Sequence, residues 1–236
     1  MNAEDQELLT STDPASKQHA SYAGVRQEIL ALSGTARNIL DVGCNEGSLG
    51  NALKSKHPDA VVWGCDINPD AISIARSVLD KSAAIDLDEI KSLASFLGED
   101  CFDLIIAADV LEHTKDPWTI AKLLRQHLTD DGRLVISLPN LGRWDTLLHL
   151  FGWQTFPRKD RGIFDATHLR FFLRKNLNEF SAEGFTLNIC NRNMRFFEHK
   201  YTPWIDRYFC RLVELIPGLR EYFVFQWVFC VTRDSQ

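Results

Sequence analysis

Four short runs of almost uninterrupted apolar residues constrain this chain more than any other feature: 38–42 (NILDV), 60–65 (AVVWGC), 102–107 (FDLIIA) and 134–138 (LVISL). A strand with one face in water alternates apolar and polar residues. These runs do not, so both faces are covered, as in a parallel sheet flanked by helices. Between the runs the sequence turns helical. Segments 48–56, 69–79, 88–97 and 116–128 read as helices, with Pro58 stopping the first and Asn68 capping the second ahead of Pro69. A weaker strand is expected at 82–85. Strand–helix repetition with short connections predicts an α/β, doubly wound fold.

The flanks are less regular. Residues 1–16 are polar and read as a flexible arm; a helix is expected at 17–33. After Pro139, residues 140–172 read as loops with a short helix at 144–150. A helix at 174–183 stops before Gly184, and strands are expected at 185–190 and 223–231. An aromatic insertion at about 194–222, with a helix at 203–215, separates these two strands, which are expected to form an antiparallel edge. Residues 17–236 are expected to be one domain. Most of the 15 Phe and 6 Trp lie after residue 100, so the second half is expected to build a pocket, a lid or an apolar surface.

Charge and cysteine content narrow the partners. The formal net charge is −6, which disfavours nucleic acid, whose phosphates call for clustered Lys and Arg. The local exception, Arg158, Lys159, Arg161, Arg170, Arg174 and Lys175, reads equally as a solvated face or as an anionic-substrate patch. None of the six cysteines has CxxC spacing, so a zinc or redox motif is not expected; reduced thiols suit a cytoplasmic protein. The N-terminus has no apolar signal core, and no run reaches the ~18 apolar residues of a membrane span. Peripheral contact with a membrane and self-association into a homodimer stay open.

The stretch Asp41-Val42-Gly43-Cys44-Asn45-Glu46-Gly47 follows a strand and opens a helix, the setting of a nucleotide-binding turn. Glycines let the backbone bend and approach a ligand. Asp66 ends the next strand, where a carboxylate can accept both ribose hydroxyls. These features point to an adenosine-containing ligand. Asp41 and Glu46 would repel a pyrophosphate, whereas S-adenosylmethionine (SAM) carries a sulfonium and an ammonium instead. A tight turn that binds nothing is the alternative.

The runs NILDVGCNEGSLGNAL, VVWGCDINPDAISIA, FDLIIAADVLEHTKDP and LTDDGRLVISLPN, in that order over roughly residues 37–140, resemble the class I SAM-dependent methyltransferases of small-molecule and glycan type (methyltransferase-11, -12 and -23). The resemblance implies a Rossmann-like seven-stranded sheet, mostly parallel with an antiparallel C-terminal edge strand. It implies SAM as methyl donor and S-adenosylhomocysteine (SAH) as product. By the same resemblance Asp41, Gly43, Cys44, Asn45 and Gly47 line the methionine end of SAM, Asp66 holds the ribose, Ile67 touches the adenine, and Asp86 with Leu87 lies by the adenine amino group. Asp109 faces the methionine moiety or the substrate. The family's central glycine is replaced here by Asn45, a residue that tolerates left-handed backbone.

The catalytic half is less specific. Methyl transfer needs alignment of donor and acceptor, and an oxygen acceptor must also lose a proton. The run DATHLRFF at 165–172 resembles one found in bacterial methyltransferases linked to sugars and cell-envelope glycans. It makes His168 a candidate base, or a His that fixes its loop through the backbone, with Asp165 and Arg170 orienting it or binding substrate. Asp109, Glu112 and His113 form an acid-x-x-Glu-His set. Some quinone O-methyltransferases place a divalent metal at a similar set, but many relatives carry LEH without one, and no metal is expected here. Asp109 and His113 join His168 as catalytic candidates, and Trp144 joins Asp165 and Arg170 at the acceptor.

The expected function is O-methylation of a small molecule or saccharide intermediate of the cell envelope. A non-catalytic SAM-binding or regulatory module of the same fold is the alternative that Asn45 invites. A tRNA or protein methyltransferase is a further alternative.

Overall fold

The computed structural model describes residues 25–196 and 203–234; the expected arm at 1–16 and most of the helix expected at 17–33 lie outside them. Seven strands form one sheet in the order β3-β2-β1-β4-β5-β7-β6. They are β1 (Asn38–Val42), β2 (Val61–Asp66), β3 (Lys81–Ala84), β4 (Phe102–Ala108), β5 (Leu128–Pro139), β6 (Phe185–Met194) and β7 (Val224–Arg233). The first five strands are parallel, and β7 runs antiparallel to both neighbours. The fold expected from the apolar runs is present. In addition, β7 lies one place in from the edge, which is occupied by β6.

Three of the four apolar runs predicted to be covered on both faces are so; in the fourth, β2, Val61 is exposed and Trp63 half-buried, with only the short edge strand β3 beyond them. Ile39, Leu40 and Val42 of β1, Leu104 to Ala107 of β4 and Leu134 to Ile136 of β5 are all fully buried. Alternate residues face opposite sides, and the core accordingly divides in two. One layer contains Leu40, Val42, Ile105, Ala107, Leu134 and Ile136; the other contains Ile39, Leu104, Ile106 and Val135.

Helices α1 (Gln27–Ala31), α2 (Ser48–Lys56), α3 (Pro69–Ala75), α4 (Ile90–Leu97) and α5 (Pro117–Gln126) accompany the parallel strands. Asn68 caps α3 as expected, its side-chain oxygen accepting from the amides of Asp70 and Ala71. Asp116 caps α5 through the Thr119 amide.

The later part departs more from the sequence reading. Asp131-Gly132, a turn-forming pair of residues, lies within β5, where the register against β4 shifts. The helix expected at 144–150 is a single α-turn, α6 (Trp144–Leu147), followed by a wider π-turn over Leu148–Gly152. The helix expected at 174–183 is a 3-10 segment, Arg174–Phe180. Helices α7 (Pro203–Glu214) and α8 (Pro217–Arg220) lead into β7. No described helix is long and apolar enough to cross a membrane.

Strand β7 is the element on which both halves depend. It pairs with β5 and β6 and buries Trp227, Val228, Phe229 and Val231. Phe229 also meets Phe180, with ring centroids 5.7 Å apart. Phe229→Ala is expected to lower unfolding free energy by about 3–5 kcal/mol, measured as a shift in the urea midpoint at unchanged slope.

Candidate active site

The parallel strands all end on one side, and in an open α/β sheet the crevice outside those carboxyl ends is where ligands bind. The β1–α2 turn stands at that edge. Gly43, Asn45 and Gly47 have φ of 78°, 49° and 82°. Three left-handed residues in five wind the backbone tightly, and Asn45 adopts the conformation its side chain tolerates. Gly43 and Cys44 donate their amides to the Cys65 carbonyl at 2.7 and 3.0 Å, joining this turn to the end of β2.

Asp66 completes the joint. One carboxylate oxygen accepts from the Asn45 amide and the other from the Asn68 amide, both at 2.9 Å. Asp66 therefore faces the glycine turn. Ile67, next along, is 67% exposed and offers a free apolar face.

Asp41 sits beneath the turn. It is buried, and its Oδ2 has no hydrogen-bond partner. Burial, helped by the nearby Asp66 carboxylate, pushes its pKa up to about 7. A buried carboxylate with an unpaired oxygen is incomplete without a donor, and an ammonium group of a ligand would complete it.

Strand β4 ends in the second part of the site. Val110 packs on the glycine turn: a Cβ added at Gly43 would meet Val110 Cγ2 at 2.9 Å. The chain then makes a 3-10 turn, Leu111–His113. The Glu112 carbonyl accepts from the Leu169 and Arg170 amides at 2.8 and 3.0 Å, which docks the 163–170 loop on this turn. Glu112, His113 and His168 are brought together, with donor atoms within 4.8 Å of one another, a spacing at which a metal ion could also be held. The two imidazoles meet edge to face at 4.7 Å.

Hydrogen bonds assign the tautomers. Asp165 is buried and accepts from the Thr167 hydroxyl at 2.6 Å. That hydroxyl has only one proton, so it accepts from His113 Nδ1 at 3.0 Å. His168 Nδ1 faces the Ile163 carbonyl at 3.3 Å, which can only accept. Both histidines thus carry their proton on Nδ1 and leave Nε2 as a lone pair. Desolvation by burial holds both pKa values below the usual 6.5, so both are neutral at pH 7. Glu112 has an unpaired Oε2 in a buried position, and burial followed by the Asp109 charge drives its pKa well up.

A family model described as a methyltransferase domain matches residues 15–187. The chain belongs to this family. Within the class I SAM-dependent methyltransferases, similar proteins include the ubiquinone biosynthesis O-methyltransferase of Glaesserella parasuis, 30% identical over 110 residues (44% of this chain, 46% of that one). The malonyl-[acyl-carrier protein] O-methyltransferase of Herminiimonas arsenicoxydans is 28% identical over 152 residues (61% and 56%). The chain spans about half the length of these curated relatives. Among solved structures, the plantazolicin methyltransferase BpumL in complex with SAH shares the fold at TM-score 0.57 and 15% identity, covering 98% of this chain and 95% of that one. A SAM-dependent methyltransferase from Archaeoglobus fulgidus does so at 0.56 and 16%, covering 97% and 96%.

Against this methyltransferase frame, several expected site residues have other work. Cys44 is buried in the core, filling the space beside Gly64. Leu87 is also a core residue, while Asp86 is exposed and accepts from the Asp88 amide. Asp109 has both carboxylate oxygens engaged, by Arg26 on one side and by Ser137 and Gln226 on the other. Its oxygens are thus engaged outside the close group that Glu112 and His113 form with His168.

Trp144 is stacked on Phe196 at 5.2 Å and donates to the Phe196 carbonyl at 2.9 Å, inside a cluster with Phe223. Its indole N–H and one ring face are thus engaged by protein, while the residue stays partly exposed. The Arg170 guanidinium is held by the Leu169 and Lys115 carbonyls. Sequence reasoning also missed Arg26, which binds Asp109, Glu28 and Gln226; only the tertiary pairing reveals it.

Asp41 yields a test with a definite sign. An unfolded aspartate ionises near pH 4, the folded one near pH 7. Its contribution to stability is full below pH 4 and is lost as pH rises to about 7, on the order of 4 kcal/mol in all. Asp41→Asn should remove that slope. Urea melts of the ligand-free protein should show the variant more stable than wild type at pH 8 and nearly equal at pH 4.

Proposed function

We propose that this methyltransferase-family chain is a SAM-dependent enzyme that methylates an oxygen of a small molecule or of a saccharide intermediate of the cell envelope. The observation that carries the reading is the meeting of two imidazoles, neutral at pH 7, from the turn after β4 and the 163–170 loop docked on it, next to Val110, which packs on the glycine turn. The names of the similar ubiquinone and malonyl-carrier-protein enzymes support oxygen as the accepting atom.

The residues at the turn suit the donor. The unpaired Asp41 oxygen suits the ammonium of SAM, Asp66 the ribose hydroxyls, and Ile67 a flat adenine face. Residues 140–172 would form the acceptor side. When bound, SAM supplies an electrophilic methyl carbon on a sulfonium.

The protein's part is to hold the acceptor in line and take its proton as the new O–CH3 bond forms. His113 suits that task better than His168. The Asp165–Thr167 pair directs its lone pair outward and can stabilise the imidazolium once the proton arrives. The side chain of His168 is only 5% exposed, lies 4.0 Å from Glu112 and is tied to the Ile163 carbonyl. It acts as a positioning residue, packed edge-on to His113. The neutral state of both rings at pH 7 keeps them ready to accept a proton.

A non-catalytic SAM-binding module is the second reading, and it rested on Asn45. The left-handed Asn45 and its amide bond to Asp66 support the enzyme reading instead, because the turn keeps its shape.

Calorimetry with SAM and SAH release over a panel of phenols and hydroxylated saccharides test the proposal. His113→Ala should lower kcat by about 10²–10⁴ and leave SAM affinity unchanged. In the wild type kcat/KM should fall on the acid side with an apparent pKa below 6.5, and that limb should vanish in the variant. His168→Ala should cost less and keep the limb. SAM binding without SAH release above the acceptor-free blank for any acceptor would favour the non-catalytic reading.

A further inference from the structure

The segment between α6 and the histidine loop carries its own signature. Phe151 is 78% and Trp153 60% exposed, with Leu148 and Phe156 also exposed. A protein that stays apart from membranes and partners rarely holds such a group of large apolar side chains in water. Directly after them come Arg158, Lys159 and Arg161 with one acid, Asp160, on a chain whose net charge is −6. Arg158 and Arg161 are exposed.

The aromatic residues are held outward by a built scaffold. The π-turn is closed by Trp153 N–H to the Leu148 carbonyl at 3.0 Å and Thr155 N–H to His149 at 2.9 Å, with Gln154 in the left-handed region (φ 50°). The basic stretch is pinned to the histidine loop by Lys159 N–H to Phe164 and Ala166 N–H to Lys159, both at 2.9 Å.

We propose that residues 148–161 form a docking surface for an anionic lipid bilayer. Aromatic side chains beside cations are the pairing that a headgroup layer over acyl chains recognises: rings enter at the interface while Arg and Lys meet lipid phosphates. In a symmetric dimer built on this surface the basic stretch would face its own copy, cation against cation. The surface also leads to the active site through touching rings. Trp153 meets His149 at 4.6 Å, His149 meets Phe164 at 5.1 Å, Phe164 meets Phe156 at 5.1 Å, Phe156 meets Phe171 at 5.2 Å, and Phe171 meets His168 at 6.2 Å. A docked protein would therefore present its acceptor side to the membrane. The docking itself does not depend on methyl transfer.

Sedimentation of the full chain with vesicles tests this. The protein should pellet with phosphatidylcholine–phosphatidylglycerol vesicles and stay in solution with phosphatidylcholine alone, and added salt should release it. Phe151→Ser with Trp153→Ser should abolish pelleting. Arg158→Glu with Arg161→Glu should weaken it by roughly ten-fold or more. All four side chains are exposed, so both double variants should stay folded by circular dichroism, with Trp153 giving up its ring contact to His149. Brominated lipid should quench wild-type tryptophan fluorescence, and the loss of Trp153 should remove that quenching. Failure to pellet, or pelleting unaffected by either pair of substitutions, overturns the proposal. So does a dimer in light scattering that the aromatic substitutions convert to a monomer while vesicles are ignored.

Discussion

The carboxylate of Asp66 binds two backbone amides, one in the glycine turn after β1 and one at the cap of α3. Much of the site depends on that bridge. It joins two neighbouring parallel strands where their loops diverge and selects the left-handed form of Asn45. It also keeps a negative group beside the buried Asp41. Gly43 and Cys44, bonded to the Cys65 carbonyl, hold the turn from its other side. Among the described residues of this turn and of β1, the Asp41 Oδ2 is the buried side-chain oxygen without a partner. A turn held at so many points has little conformational entropy left to lose on binding.

The second half of the site is fixed by a different kind of contact. The 3-10 turn after β4 and the loop at 163–170 are far apart in sequence, yet one carbonyl, that of Glu112, receives two amides of the loop. This seam sets the edge-to-face pairing of the histidines and buries Glu112. The relay from Asp165 through Thr167 to His113 then fixes which nitrogen carries the proton. Burial does the rest by keeping both rings neutral. The arrangement of the two rings is thus held by backbone hydrogen bonds and desolvation, with few direct charge pairs.

Charge pairing is used instead at Asp109. Arg26 and Gln226 reach it from opposite ends of the chain, and Ser137 reaches it from β5. The contact anchors the start of α1 and the insertion of β7 to the end of β4. Asp109, expected from the sequence to face the methionine moiety or the substrate, is also a junction between three parts of the chain.

Local pattern alone was enough for the strand cores and the helix caps. Uninterrupted apolar runs demand two covered faces, and Asn68-Pro69 and Asp116-Pro117 mark helix starts through chemistry within four residues. The glycine turn with Asp66 was legible for the same reason: its geometry follows from residue types close in the chain. Other features were decided by tertiary structure. Nothing local tells that Trp144 stacks on Phe196, that Asp131-Gly132 stays within a strand, that Asp109 is taken by Arg26, or that Glu112 and His113 meet His168. Each of these depends on partners tens of residues away, whose approach is set by how β7 enters the sheet and how the loops after β4 and β5 fold onto one another. Burial, and with it the protonation of Asp41, Glu112 and the histidines, is a property of that assembled arrangement.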